Sequence, residues 1–105
     1  VTENMASKPE ELTVDYEEGG VHTVKELDKV VLSKGAWTTI LFRYREWDAR
    51  KEDYGPEKYT IRRYQKRNGE YQQRSKFNIS SRDQAKNIIN ALQQWLAEEE
   101  NSSDS

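Results

Sequence analysis

Alternate residues of the stretch TTILFRYREW, residues 38–47, sort into two sets. Ile40, Phe42 and Tyr44 fall on one side, and Leu41, Arg43, Arg45 and Trp47 on the other, which is the period-two pattern of a half-buried strand. Three further segments read as strands: LDKVVL at 27–32, KYTIRRYQK at 58–66 and EYQQRSKFNI at 70–79. The connections are SKGA, the charged loop DARKEDYGP and the turn RNG. From Ser81 onward the period becomes helical. Ala85, Ile88, Ile89, Leu92, Trp95 and Leu96 recur at steps of three and four. Ser81 with Gln84 fits a capping box, and Asp83 suits the positive end of the helix dipole. The predicted fold is α+β, a four-stranded antiparallel curved sheet followed by one C-terminal amphipathic helix (ββββα) that covers the greasy sheet face.

The RNG turn decides which residues share a face. A two-residue Asn68-Gly69 loop would set Ile61 across from Lys76 and Thr60 across from Phe77, mixing core and solvent faces. A three-residue loop with Gly69 in a G1 bulge keeps them apart. That register puts Tyr59 across from Phe77, Ile61 from Ser75, Thr60 from Lys76, Arg62 from Arg74 and Tyr64 from Gln72. Like charges directly opposite one another destabilise a sheet by up to about 1 kcal/mol. An Arg62–Arg74 pair therefore points to an anion above it.

Composition sharpens this picture. Only 33% of the 105 residues are hydrophobic, so the core is thin, and a second copy of the chain is a common remedy. The wide apolar sector of the helix has room for such a copy along a seam of Ala85, Ile88, Leu92 and Trp95. The net charge of −2 hides a strong division. Residues 1–33 carry net −5, residues 34–96 net +7 and residues 97–105 net −4. The expected organisation is a flexible acidic arm at 1–20, one basic domain at 21–97 and a flexible acidic tail at 98–105. The acidic arms keep the protein soluble, with a second reading in which they fold back over the basic face. No apolar h-region or membrane-length run is present, so a cytoplasmic protein without membrane contact is expected.

A solvated sheet face that bears both guanidinium groups and rings suits single-stranded nucleic acid. Cations neutralise phosphates by counterion release, and flat rings stack on exposed bases. The expected contact set is Arg43, Arg45, Trp47, Arg62, Tyr64, Arg74 and Lys76 on one surface, with Trp37 a weaker candidate. Only Arg82 and Lys86 are basic on the helix, which argues against reading of a duplex groove. The rival reading is a protein-interaction module that holds an acidic partner on the same face.

The runs VVLSKGAWTTILFRY and KYTIRRYQKRNGEYQQRSKFNISSRDQAKNIINALQQWL resemble a PUR (purine-rich-element-binding) domain. The likeness extends to the wider superfamily of Whirly proteins and the positive-cofactor-four coactivator, over roughly residues 21–97. It implies binding of single-stranded DNA or RNA on the curved sheet, a transcription-related role and homodimerisation through the helices. By position, the implied contacts fall on Arg43, Arg45, Arg62, Tyr64, Arg74 and Lys76.

Catalysis is not expected. The chain has no cysteine, a single histidine (His22) with no second ligand at metal spacing, and no phosphate-cradling Gly-rich loop. Glu46, Asp48, Glu52 and Asp53 cluster around one loop, but Arg45, Arg50 and Lys51 interleave with them. That pattern belongs to a solvated loop more than to a magnesium site. No cofactor, metal or small-molecule substrate is expected.

Overall fold

The structure is a computed structural model that describes residues 6–102. A 3-10 turn at Pro9–Glu11 precedes β1 (Tyr16–Glu18), β2 (Val21–Ser33), β3 (Trp37–Asp48), β4 (Asp53–Tyr54), β5 (Lys58–Arg67) and β6 (Glu70–Ile79). One helix, α1 (Arg82–Ser102), follows. The strands form a curled antiparallel sheet in the order β1-β2-β3-β5-β6, with β4 paired to the end of β3. The class is α+β as expected, but with more strands than four. β2 begins at Val21, well before the LDKVVL segment, and β1 and β4 are short additions.

The two-sided reading of residues 38–47 holds. Thr38, Ile40, Phe42 and Tyr44 are buried, while their neighbours along β3 are half-buried or exposed. The cover over that inner face is not the helix. Leu12 (0% exposed), Val14 and Ala6 pack with Ile40, Phe42, Tyr44, Tyr64 and Tyr71 to make the core. The expected arm at 1–20 is therefore structural from Ala6 onward, and its residues 1–5 lie outside the described residues. Hydrogen bonds fasten this segment to the sheet. Lys29 Nζ donates to the carbonyls of Pro9 (3.2 Å), Glu10 (2.8 Å) and Leu12 (2.6 Å). The Glu26 N–H donates to Asp15 Oδ1 (2.6 Å), and the Tyr71 N–H to the Ala6 carbonyl (2.8 Å).

The β5–β6 hairpin corrects the expected register. Asn68 and Gly69 both have positive φ, 53° and 80°, as a two-residue type I′ turn requires. Arg67 faces Glu70, Lys66 faces Tyr71, and Tyr64 faces Gln73. A bulge then inserts one residue on β6, so that Arg63 faces Ser75, Arg62 faces Lys76 and Ile61 faces Phe77. The extra residue is inside the strand rather than in the loop. It resolves the face-mixing that a plain two-residue register would impose. Gly69→Ala should lower stability by about 1–2 kcal/mol in urea unfolding, because an L side chain at this φ is strained. Gly55→Ala, where a Cβ meets only the Glu46 carbonyl at 3.7 Å and φ is not left-handed, should stay within about 0.5 kcal/mol.

The helix starts where its cap residues place it. The Gln84 N–H donates to Ser81 Oγ (3.0 Å), and the Gln84 side chain reaches back to the Ser80 N–H (2.6 Å). It runs through Glu98–Glu100 of the expected tail, and residues 103–105 lie outside the described residues. It lies across neither sheet face. Ile89, Leu92, Trp95 and Leu96 remain about half or more exposed. No described helix is long and apolar enough to cross a membrane.

Candidate nucleic-acid interface

Register and alternation fix which side chains share a surface. Directly opposite residues of an antiparallel pair point to the same side. Ile40 faces Arg62, and Thr38 faces Tyr64, so Arg62, Tyr64 and Lys76 belong to the inner face with the core. Arg43 faces Tyr59, Leu41 faces Ile61, and Thr39 faces Arg63, so the outer face carries Arg43, Arg45 and Trp47 with Tyr59, Ile61, Arg63 and Phe77. The seven expected contact residues thus divide between two sides of the sheet and form no single surface. Tyr64 is 2% exposed and belongs to the core, which rules out base stacking on its ring. The expected Arg62–Arg74 opposition is replaced by Arg62–Lys76.

Arg74 sits at the β6 bulge, and its guanidinium is held on the outer-face pair Gln65 and Gln72. Nε donates to Gln65 Oε1 and Nη2 to Gln72 Oε1, each at 3.1 Å. Beside it Arg63 lies over the indole of Trp37, with Cζ 4.3 Å from the ring centroid. Trp37 faces Gln65 and is 40% exposed. Among the described residues neither Arg63 nor Arg74 has a carboxylate partner. Trp37, the weaker candidate, shares this face, and extending the 38–47 alternation back by one residue puts it in phase with Arg43, Arg45 and Trp47. Arg63 had no local signal, because its side follows only from the β3–β5 register.

The other end of the outer face is differently balanced. Arg43 pairs with Glu57 (3.4 Å) and Asp28 (3.8 Å), and Arg45 shares the same Glu57 (3.6 Å). Exposed pairs of this kind contribute little to stability and exchange readily for another anion. Trp47 is half-buried, edge-on to Tyr54 of β4 at 5.2 Å, and the Tyr54 hydroxyl is anchored to the His22 carbonyl (2.8 Å). Its ring is a wall of this end more than an open platform. Between the two ends an apolar row crosses four strands: Val30, Leu41, Ile61 and Phe77, the first and last of them at least half exposed.

On the inner face Lys58 Nζ donates to Glu46, and this hydrogen bond holds the lysine pKa above its ordinary value. Burial pushes the Tyr44 and Tyr64 hydroxyls up, with the Arg62 guanidinium opposing the shift at Tyr64. Among the described residues no group of three or more His, Asp or Glu side chains is placed to hold a metal ion. Compared with protein-family models, curated proteins and solved structures, the chain has no significant match.

Proposed function

We propose that the protein binds single-stranded DNA or RNA on the outer face of its sheet and does so as a homodimer. The observation that carries the reading is the half-exposed Trp37 with Arg63 stacked on it and Arg74 alongside, two guanidinium groups that no carboxylate among the described residues neutralises. A base can stack on the Arg63–Trp37 pair, and phosphates can take the free edges of Arg63 and Arg74. Gln65 and Gln72 already give their Oε1 atoms to Arg74, which leaves their amide N–H groups for base carbonyls. Arg43 and Arg45 extend the track by trading Glu57 and Asp28 for phosphate. The likeness to PUR, Whirly and positive-cofactor-four proteins points to the same ligand class and to a transcription-related role.

A second reading rests on the apolar row. Val30, Leu41, Ile61 and Phe77 between two charged ends suit a protein partner with an acidic rim. Titration with oligo-deoxythymidine and an RNA oligomer at low salt separates the two. The nucleic-acid reading expects quenching of tryptophan fluorescence that vanishes in Trp37→Ala and survives in Trp95→Phe. It also expects Trp37→Ala with Arg63→Gln to weaken binding about 10- to 100-fold, one lost stack and one lost cation. Absence of quenching and of any bound fraction in the wild type would leave the acidic partner.

A further inference from the structure

β6 ends the sheet, and most of its outer edge is open. The strand order β1-β2-β3-β5-β6 pairs β6 with β5 alone, and Gln72 through Asn78 are all exposed. Among the described residues that edge is bridged only at Tyr71, whose N–H donates to the Ala6 carbonyl in antiparallel pairing. Hydrogen-bonding direction alternates along an antiparallel strand. Arg67 and Glu70 close the two-residue turn as a bonded pair, so Arg63 and Ile61 direct their backbone groups at β6, and Ser75 and Phe77 direct theirs at β5. The Lys66 N–H, which donates to the Ala36 carbonyl, and the Tyr71 N–H both point the way this phase requires. Past the bulge the same phase turns the backbone N–H and C=O groups of Lys76 and Asn78 to the open edge.

An edge of this kind is a template for another strand. Beside it, between residues 13–16 and residues 72–80, runs an open groove of about 1110 Å³. From Tyr71 to Ile79 the strand carries two cations, Arg74 and Lys76, and no carboxylate. Among the described residues neither cation has a carboxylate within ion-pair distance. Such charges oppose pairing with a second copy of the same edge and favour an acidic strand. The acidic side chains that line the groove are engaged or distant. Glu46 holds Lys58, and Asp15 holds the Glu26 N–H and His22. Glu70 is six residues along β6 from Lys76, roughly 20 Å of strand.

We propose that the β6 edge takes an extended segment of a partner protein as an added antiparallel strand, with acidic side chains turned into the groove and apolar ones turned outward. Main-chain hydrogen bonds to Lys76 and Asn78 hold the segment. Its side-chain pattern follows from the two faces of β6. Lys76 and Asn78 lie on the inner face, across from Arg62 and Thr60, while the half-exposed Phe77 lies on the outer face across from Ile61. A chain paired to this edge sends alternate side chains to the two sides. Those on the inner side meet the Lys76 ammonium. Those on the outer side meet Phe77 and lengthen the apolar row of Val30, Leu41, Ile61 and Phe77. The open edge from Gln73 to Ile79 spans roughly 24 Å, which suits about seven residues of partner. This edge goes beyond the outer-face reading and does not rest on it.

The full-length chain, ¹⁵N-labelled and titrated with a blocked heptapeptide of alternating glutamate and valine, tests the edge by NMR. Shifts should centre on the Lys76 and Asn78 amides, whose hydrogen exchange should slow at least about tenfold. A copy N-methylated at the glutamates, whose N–H groups face β6 in this pairing, should bind about tenfold or more weakly. A copy with lysine for glutamate should not bind. Lys76→Glu, on an exposed side chain, should weaken binding about tenfold without altering the circular dichroism spectrum. Lys76→Pro removes an N–H that faces away from β5, so the sheet should form and binding should be lost. No shift at those two amides at millimolar peptide overturns the proposal. Equal affinity for the methylated copy, or unchanged affinity in the folded Lys76→Glu variant, does the same. An oligo-deoxythymidine should leave the peptide bound; displacement with shifts at the same amides would give the edge to nucleic acid and sink a peptide site. Failure of the outer-face reading would appear instead as unaltered oligomer binding in Trp37→Ala with Arg63→Gln, with peptide binding intact.

Discussion

Replacing Leu12 by alanine is expected to destabilise the fold by about 2–5 kcal/mol, the range for removing a fully buried leucine from a core that cannot collapse around the gap. Leu12 is 0% exposed and is backed by Phe42 and Ile40, themselves fully buried. The core contains few large apolar side chains, so each one carries a large share of a stability that is small to begin with. Urea unfolding followed by circular dichroism reads the change as a lower midpoint at constant slope. Replacing the exposed Glu17 or Glu18 a few residues later should move the same curve by no more than about 0.5 kcal/mol. A Leu12→Ala curve that overlays the wild type would mean that the segment is an arm after all, and that something else covers the inner face of β3.

The contrast between Leu12 and β3 indicates what kind of information the chain wears openly. β3 is read correctly because its buried phase is apolar at Ile40, Phe42 and Tyr44 and its other phase is charged. Leu12 and Val14 are two apolar residues in an acidic run, and two residues define no period. β5 misleads for a different reason. Its buried phase is Thr60, Arg62 and Tyr64, while Tyr59 and Ile61, the apolar-looking phase, face outward. Thr38 and Thr60 are fully buried because their hydroxyls are satisfied. Thr38 Oγ1 donates to the Gly35 carbonyl (3.1 Å), and Thr60 Oγ1 is 2.7 Å from Asn78 Oδ1. A threonine with its hydroxyl paired behaves as a β-branched core residue, and composition scores it as polar.

The candidate surface failed to assemble as expected through the same uncertainty in phase. The β3–β5 register turns Arg62 and Tyr64 to the core side, and one inserted residue in β6 parts Arg74 from Arg62 and Lys76; no single position announces either. β3 keeps Arg43, Arg45 and Trp47 together on the outer face. The partners they gained, Arg63, Tyr59 and Phe77, are those that the register supplies. The helix was legible from cap to seam. The exposure of its later part, Ile89 to Leu96, was not, since periodicity reports that a face wants burial and not where the cover comes from.

That unmet demand leads to the second large effect. Ile89, Leu92, Trp95 and Leu96 are 52%, 49%, 64% and 57% exposed on successive turns of α1. Single exposed hydrophobic residues are ordinary, but four on one helical seam form a contiguous patch, and most helices draw their stability from packing such a face. A second copy of the chain offers a matching stripe. Wild-type protein at micromolar concentration should therefore sediment at twice the 12.4 kDa of the chain. Leu92→Asp with Trp95→Asp should convert it to monomer. Each side chain forfeits about 1.5–3 kcal/mol of burial, and each introduced carboxylate adds a desolvation cost, so the association constant falls by at least about a thousandfold. Gln94→Asp, on the exposed side of the same turn opposite the patch, should leave the mass unchanged. A wild type that stays monomeric at hundreds of micromolar would remove the dimer and, with it, the presentation of two outer faces to one strand. Outer-face binding to a short oligomer would then be a property of the single chain, and Leu92→Asp with Trp95→Asp would leave that affinity where it was.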